Sequence, residues 1–315
     1  MKIDRASRPV AALLAAGVAG LAYWLGVWTA AGQQAENRIV LDAYALRALT
    51  DEHPQVLPVS IPTAFGLAVL TLAVIGIARR RLPDALVAVL TLLCSAGTAW
   101  FLKSALPRPR LSVLSVATGN SFPSGHVVLV TSFVLALLLV VPTRFRLLAA
   151  GFGAIVACLV VSGTLIAAWH RPSDAIGAAM VSLIFFLLAA TVLAGEKKMV
   201  EEPETPIGVL PAVLGGLGCV VVAVGCTVAF QLPAQPSTSD GSPWLDLLLA
   251  SAVTDVAIVA VVVLATGWSR FVARRSVDAR DLDRAAASGQ FDLQRCRYLP
   301  VAQQQDEGAG QHLAQ

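Results

Sequence analysis

The chain has 315 residues, of which 14% are charged and 57% hydrophobic, and its mean hydropathy is +0.73. An average soluble domain carries about 25% charged and about 45–50% apolar residues, so a disordered chain is excluded and an ordinary soluble enzyme is disfavoured. A net charge of +3 on so apolar a chain leaves no basic footprint for nucleic acid, and the composition predicts an integral membrane protein.

A bilayer core takes about 20 apolar residues per helix. Eight such stretches follow one another: 9–31, 58–78, 84–102, 125–142, 145–169, 173–195, 207–232 and 245–267. Their unbroken apolarity excludes the alternating pattern of a membrane barrel. The predicted fold is therefore all-α, a polytopic helical bundle. The first stretch is longer than the 7–15-residue core of a cleaved signal and reads as a helix. Residues 32–57 form a polar connection in which Ile39, Ala43, Leu46 and Leu49 recur at helical spacing. A short interfacial helix is expected there, roofing whatever site lies beneath. The loop 233–243 is a polar turn region. The stretches divide the chain into a six-helix core over 1–200, two further spans over 201–270, and a polar tail over 271–315 that is expected to be disordered.

Cys94, Cys158, Cys219, Cys226 and Cys296 form no CxxC or Cys/His pattern, so neither a zinc site nor a disulfide framework is predicted. Asp255 falls near the middle of the last stretch, where an acid is costly. It is read either as functional, on a proton path, or as a protonated acid bonded to a neighbouring helix.

Basic loops stay cytoplasmic. Lys2, Arg5, Arg8, Arg79, Arg80, Arg81, Arg144, Arg146, Lys197, Lys198, Arg270, Arg274 and Arg275 fall on one side by span counting, 13 bases in all. Arg38, Arg47, Lys103, Arg108, Arg110 and Arg171 fall on the other, six in all. Both termini are thus expected in the cytoplasm. Four of the six outward bases, Lys103, Arg108, Arg110 and Arg171, stand at the mouths of spans three and five. An anionic ligand is a natural reason for bases on the disfavoured side.

Three stretches that emerge on that outward face hold the reactive side chains. They are Lys103 to Arg110 after span three, Phe122-Pro123-Ser124-Gly125-His126 at the start of span four, and Trp169-His170-Arg171-Pro172-Ser173-Asp174 between spans five and six. Lys and Arg supply fixed charge and forked hydrogen bonds for a phosphate. Ser124 suits an N-cap, Gly125 permits close backbone approach, and a helix start suits an anion. Pro172 suits a first helical position. Asp174 lies four residues after His170, a spacing from which a carboxylate at a helix start reaches back to the imidazole. That pairing is the base-plus-orienter arrangement of nucleophilic catalysis. The other histidines, His53 and His312, sit in a loop and in the tail. Two histidines, one carboxylate and several bases on one face read as phosphoryl transfer.

The residues resemble the type 2 phosphatidic acid phosphatase family of membrane lipid phosphatases, over roughly 60–195. The family's first motif is Lys, six residues, then Arg-Pro; here Lys103 and Arg110 match and Leu111 replaces the proline. The second, Pro-Ser-Gly-His, is intact at 123–126. The third is Ser-Arg, five residues, His, three residues, Asp. His170 and Asp174 match, but Gly163 and Thr164 replace Ser-Arg. The resemblance implies that His170 is the nucleophile, that Asp174 orients it, and that His126 is the general acid. It implies that Lys103, Arg110, Ser124 and Gly125 hold the phosphoryl oxygens. Arg108 or Arg171 is expected to replace the missing third-motif arginine. The implied substrate is a lipid phosphate, met among membrane lipids. The implied reaction uses no metal and no cofactor, and its acid–base pair predicts a bell-shaped pH profile. Two alternatives stay open: a phosphotransferase with an acceptor other than water, and a catalytically weak relative that binds or moves anionic lipids.

Overall fold

A computed structural model describes residues 7–48, 60–111, 119–195 and 245–266. Its helices are α1 (Ser7–Trp28), α2 (Ala30–Ala48), α3 (Ile61–Ala78), α4 (Leu82–Ala105), α5 (Gly125–Val140), α6 (Arg146–Ile166) and α7 (Pro172–Gly195), followed by α8 (Leu245–Thr266). Six of them, α1, α3, α4, α6, α7 and α8, are long and apolar enough to cross a membrane. The molecule is a polytopic helical membrane bundle, as its composition predicts. The predicted span 207–232, the loop 233–243 and the tail 271–315 lie outside the described residues.

Without a hydrophobic drive between helices in lipid, bundles close through small residues and side-chain hydrogen bonds. α3 and α4 approach where Gly76 leaves no room for a side chain: a Cβ there would stand 2.1 Å from the Ala85 Cβ. α5 and α6 do the same at Gly153, against Val134. α5 and α7 are joined in the core by a 2.8 Å hydrogen bond between the Thr131 and Ser182 hydroxyls. Outward faces keep their large apolar side chains exposed, among them Leu70, Leu86, Phe101 and Phe152.

α8 packs on α6. Ser162 Oγ donates to Asp255 Oδ2 at 3.2 Å, and Cys158 Sγ contacts the Asp255 carbonyl. Asp255 is an acid bonded to a neighbouring helix.

The expected roof is present as α2. Thr29 caps it, its Oγ1 accepting the Gly32 amide at 3.0 Å. The corner with α1 is so tight that a Cβ on Gly32 would fall 1.9 Å from the Leu25 carbonyl oxygen. α2 lies over the ends of α1 and α6 and reaches α8, where Asp246 faces Asp42. Burial, and then Asp246, push the Asp42 carboxyl up, against the pull of Arg38.

The two ends of the bundle differ in chemistry. At the end holding the starts of α1, α4 and α6, arginines bind helix carbonyls. Arg8 donates to Ala190 at 2.9 Å, Arg79 to Val140 and Arg146 to Val141, while Arg81 pairs with Asp84. The opposite end carries exposed Trp24, Trp28, Trp100 and Trp169, aromatic residues of the kind that settle at a membrane–water boundary. All three reactive stretches emerge there.

Candidate active site

The stretch that carries His170 begins where α6 stops. α6 ends in a Schellman turn: the Trp169 amide donates to the Thr164 carbonyl at 3.0 Å and the Ala168 amide to the Leu165 carbonyl at 2.9 Å. Ala168 takes the left-handed conformation at φ 57°. The turn ends the helix three residues short of the predicted 169 and swings His170 into the bundle mouth. Pro172 then opens α7 as its first residue, as predicted. Asp174, fully buried, reaches back with Oδ2 to accept the Arg171 amide at 2.9 Å. The same Oδ2 stands 3.5 Å from His170 Nδ1. That is ion-pair range, although the angle is not that of a formed hydrogen bond.

The second stretch is tied to the third through the main chain. Ser124 N donates to the Asp174 carbonyl at 3.0 Å, and Ser124 Oγ caps α5 by accepting the Val127 amide. Phe122 lies against α7 where Gly177 gives it room, since a Cβ there would meet the ring at 2.2 Å. A side chain at Gly125 would meet nothing within 4 Å among the described residues, so the start of α5 is open at Gly125. His126 stands in that turn. Its ring centroid is 6.0 Å from that of His170 and 5.3 Å from that of Trp169. α5 has 16 residues, about 24 Å at 1.5 Å per residue, short of the roughly 30 Å hydrocarbon core.

The first stretch supplies charge, and here structure and sequence expectation differ in detail. α4 runs to Ala105, so Lys103 sits in its last turn, half-buried and near enough to His126 to act on it electrostatically. Arg108 turns inward. Its Nη1 and Nη2 are buried with no hydrogen-bond partner among the described residues, and it faces Arg171, Glu36, Asp174 and Tyr23. Burial and the neighbouring Arg171 lower the affinity of the Arg108 guanidinium for its proton. Arg110 is exposed. The Arg-Pro pair that reaches the mouth is Arg108-Pro109, with four residues between Lys103 and Arg108. Thr164, in the place of the absent arginine, is buried and bonded to its own helix at Val161. Arg171 is buried, donating to Ser121 at 2.9 Å and to Asn37 at 3.5 Å, with Nε unpartnered among the described residues.

Three residues of this site escaped the sequence reading, and all lie on α2. Gln33, Glu36 and Asn37 are buried at i, i+3 and i+4, one face of a helix. Glu36 Oε1 accepts the Ser173 amide at 3.0 Å, and Oε2 is buried without a partner. Burial, then the Asp174 charge, raise the Glu36 carboxyl to about 7. Among the described residues, no group of three or more His, Cys, Asp or Glu side chains could hold a metal ion.

Fold and site together define a multi-pass membrane protein with a histidine, aspartate and arginine centre at one end of its bundle. The family model of the PAP2 superfamily matches residues 85–198. This stretch, from α4 to just beyond α7, is similar to the type 2 phosphatidic acid phosphatase-like family. Comparison with curated proteins and with solved structures gives no match.

Proposed function

We propose that the protein is an integral membrane phosphatase that hydrolyses a lipid phosphate or diphosphate monoester at the extracytoplasmic face. The observation that carries this reading is the meeting of His170, backed by Asp174, with His126 beside arginine N–H groups that are buried and have no acceptor among the described residues. Asp174 stands at Nδ1 of His170, which leaves Nε2 to attack phosphorus. The N–P bond forms as the bond to the lipid oxygen breaks, and His126 gives its proton to the departing alkoxide. Water then attacks the phosphohistidine, His126 takes the water's proton, and inorganic phosphate leaves. Arg108, Arg171 and Lys103, with the start of α5 at Ser124 and Gly125, stabilise the phosphoryl oxygens through both steps. Arg110 acts at the rim, drawing the anion to the mouth. The tryptophans at this end set the site at headgroup depth, so the lipid tail stays in the bilayer. The excess of basic residues at the opposite end supports the outward placement of the site.

The test is phosphate release from short-chain phosphatidate, phosphatidylglycerol phosphate and polyprenyl diphosphate in detergent, with chelator present. Wild type is expected to release phosphate, and His170→Ala to lose at least about 10³-fold in kcat. Equal inactivity of the two proteins over the panel overturns the phosphatase. A phosphorylated acceptor formed without matching free phosphate points to phosphotransfer instead.

A further inference from the structure

α2 takes no part in the chemistry above and lies outside residues 85–198, yet its buried face touches the first and third reactive stretches. Gln33 Nε2 donates to the Pro109 carbonyl at 2.8 Å, beside Arg108, and to the Val27 carbonyl at the end of α1 at 2.7 Å. Asn37 accepts from Arg171. Arg47 donates to the Ala167 carbonyl at 2.9 Å, at the turn before His170. Glu36 stands between these contacts and binds the first turn of α7 itself. Its place is fixed from behind by α1: a Cβ on Gly26 would stand 2.6 Å from Ser173 Oγ and 2.8 Å from Glu36 Oε1.

A buried polar row is costly where it lacks acceptors, and burying a carboxylate beside Asp174 is costlier still. On a helix at the membrane boundary the ordinary arrangement is the reverse, with apolar residues inward. Here Val40 and Ala43 do face inward, but Gln33, Glu36 and Asn37 are buried with them, while Leu41 and Tyr44 are exposed. The contacts made by the row explain why it faces inward.

We propose that Glu36 is a positioning residue, and that α2 is a clamp holding the first turn of α7, and with it His170 and Asp174, against the Arg108 loop. The Ser173 amide is one of the free donors of a helix start. Glu36 accepts it from another helix, so the angle of α7 at His170 is set by α2. For its catalytic readout this inference rests on the phosphatase reading above.

Three variants test it: Glu36→Gln, Glu36→Ala and Glu36→Asp. Gln keeps an oxygen at the same reach, Ala removes it, and Asp keeps the charge but withdraws the oxygen by one methylene. Misplacing a nucleophile lowers kcat more than KM. Glu36→Ala and Glu36→Asp are expected to lose about 10–100-fold in kcat with KM changed less than about threefold. Glu36→Gln is expected to recover most of that rate. Hydrogen–deuterium exchange of the peptide covering 170–176, read without turnover, is expected to speed up about tenfold in Ala and Asp and to stay near wild type in Gln. Wild-type rate and exchange in both Ala and Asp overturn the clamp. So does a Gln variant as impaired as Ala, because charge and not reach would then be what matters. If Ala does not fold, Asp and Gln make the same comparison. An inactive wild type overturns the phosphatase reading alone, and the exchange data still decide the clamp.

Discussion

Arginine does opposite work at the two ends of this bundle. At one end the guanidinium groups of Arg79 and Arg146 close on backbone carbonyls, supplying acceptors at helix ends with donors. At the other, Arg108 is half-buried, its two terminal nitrogens without a partner among the described residues, and Arg171 is only partly bonded. The first arrangement completes the fold. The second leaves donors uncommitted within a mouth that also holds two imidazoles, and such donors cost stability unless an anion meets them. Arg79 and Arg146 thus serve helix ends, whereas Arg108 and Arg171 hold donors beside the two imidazoles.

Exchanging arginines across this divide gives the largest expected effect. Arg108→Ala should lower kcat/KM for a lipid phosphate by about 10²–10³-fold, the range for losing one oxyanion donor. Its apparent melting temperature in detergent should hold or rise, since a half-buried cation without a partner among the described residues is gone. Arg79→Ala should do the reverse, leaving kcat/KM in place and lowering stability by about 1–3 kcal/mol, because the Val140 carbonyl loses its donor. Phosphate release and thermal unfolding on the same preparations read both quantities. A loss of activity in Arg79→Ala comparable to that in Arg108→Ala would erase the distinction between the ends.

Arg110 sharpens the same point within one loop. It is exposed while Arg108 faces the mouth, so Arg110→Ala should cost at least about tenfold less in kcat/KM than Arg108→Ala. What it does cost should fade with added salt, as for a charge in solvent. A larger loss for Arg110→Ala would return the phosphate contact to the spacing with six residues between Lys103 and Arg110.

Glu36 places a third effect at the reactive end, this one on stability. Its folded carboxyl sits at about 7 against an ordinary 4.5, so folding favours its protonated form. The stability that form provides is present below about pH 4.5 and lost as pH rises through about 7. A shift of that size corresponds to on the order of 3 kcal/mol at most. The melting temperature of wild type should therefore fall between about pH 5 and 7.5 relative to Glu36→Gln, which does not titrate. Parallel curves for the two proteins would show that the carboxyl is not held as the geometry implies.

The parts of the molecule differ in how far their sequence discloses them. Long apolar runs fix α1, α3, α4, α6, α7 and α8 because in lipid a helix needs little beyond length and apolarity. Pro172 and the spacing of His170 to Asp174 disclose the start of α7, since both are local and a helix start has few solutions. Gln33, Glu36 and Asn37 were hidden by the same logic turned over. Their helix was expected from Ile39 and Ala43, but an amphipathic reading assigns polar residues to solvent, and here the buried face is apolar at Val40 and Ala43 and polar at Gln33, Glu36 and Asn37. The signal was three amide and acid side chains at i, i+3 and i+4 just after a membrane span. Arg108 was visible as an Arg-Pro pair at 108–109, but which arginine turns inward depends on where α4 ends, and helix ends are what periodicity locates least well.

The smallest expected effect compares the same turn at both ends. α3 and α6 each end in a Schellman turn with a residue other than glycine in the left-handed position, Arg80 at φ 53° and Ala168 at φ 57°. A side chain there costs about 1–2 kcal/mol, and glycine recovers part of it after its own loss of chain entropy. Arg80→Gly and Ala168→Gly should each raise stability by about 0.5 kcal/mol. At Arg80 nothing else should change. Ala168 stands two residues before His170, and its Cβ narrows the backbone freedom of the turn that aims the imidazole. Ala168→Gly should therefore lower kcat a few-fold while the protein melts slightly later. Equal gains in stability with equal rates would mean that the strain at Ala168 does nothing for the site, and that the two turns differ only in where they lie.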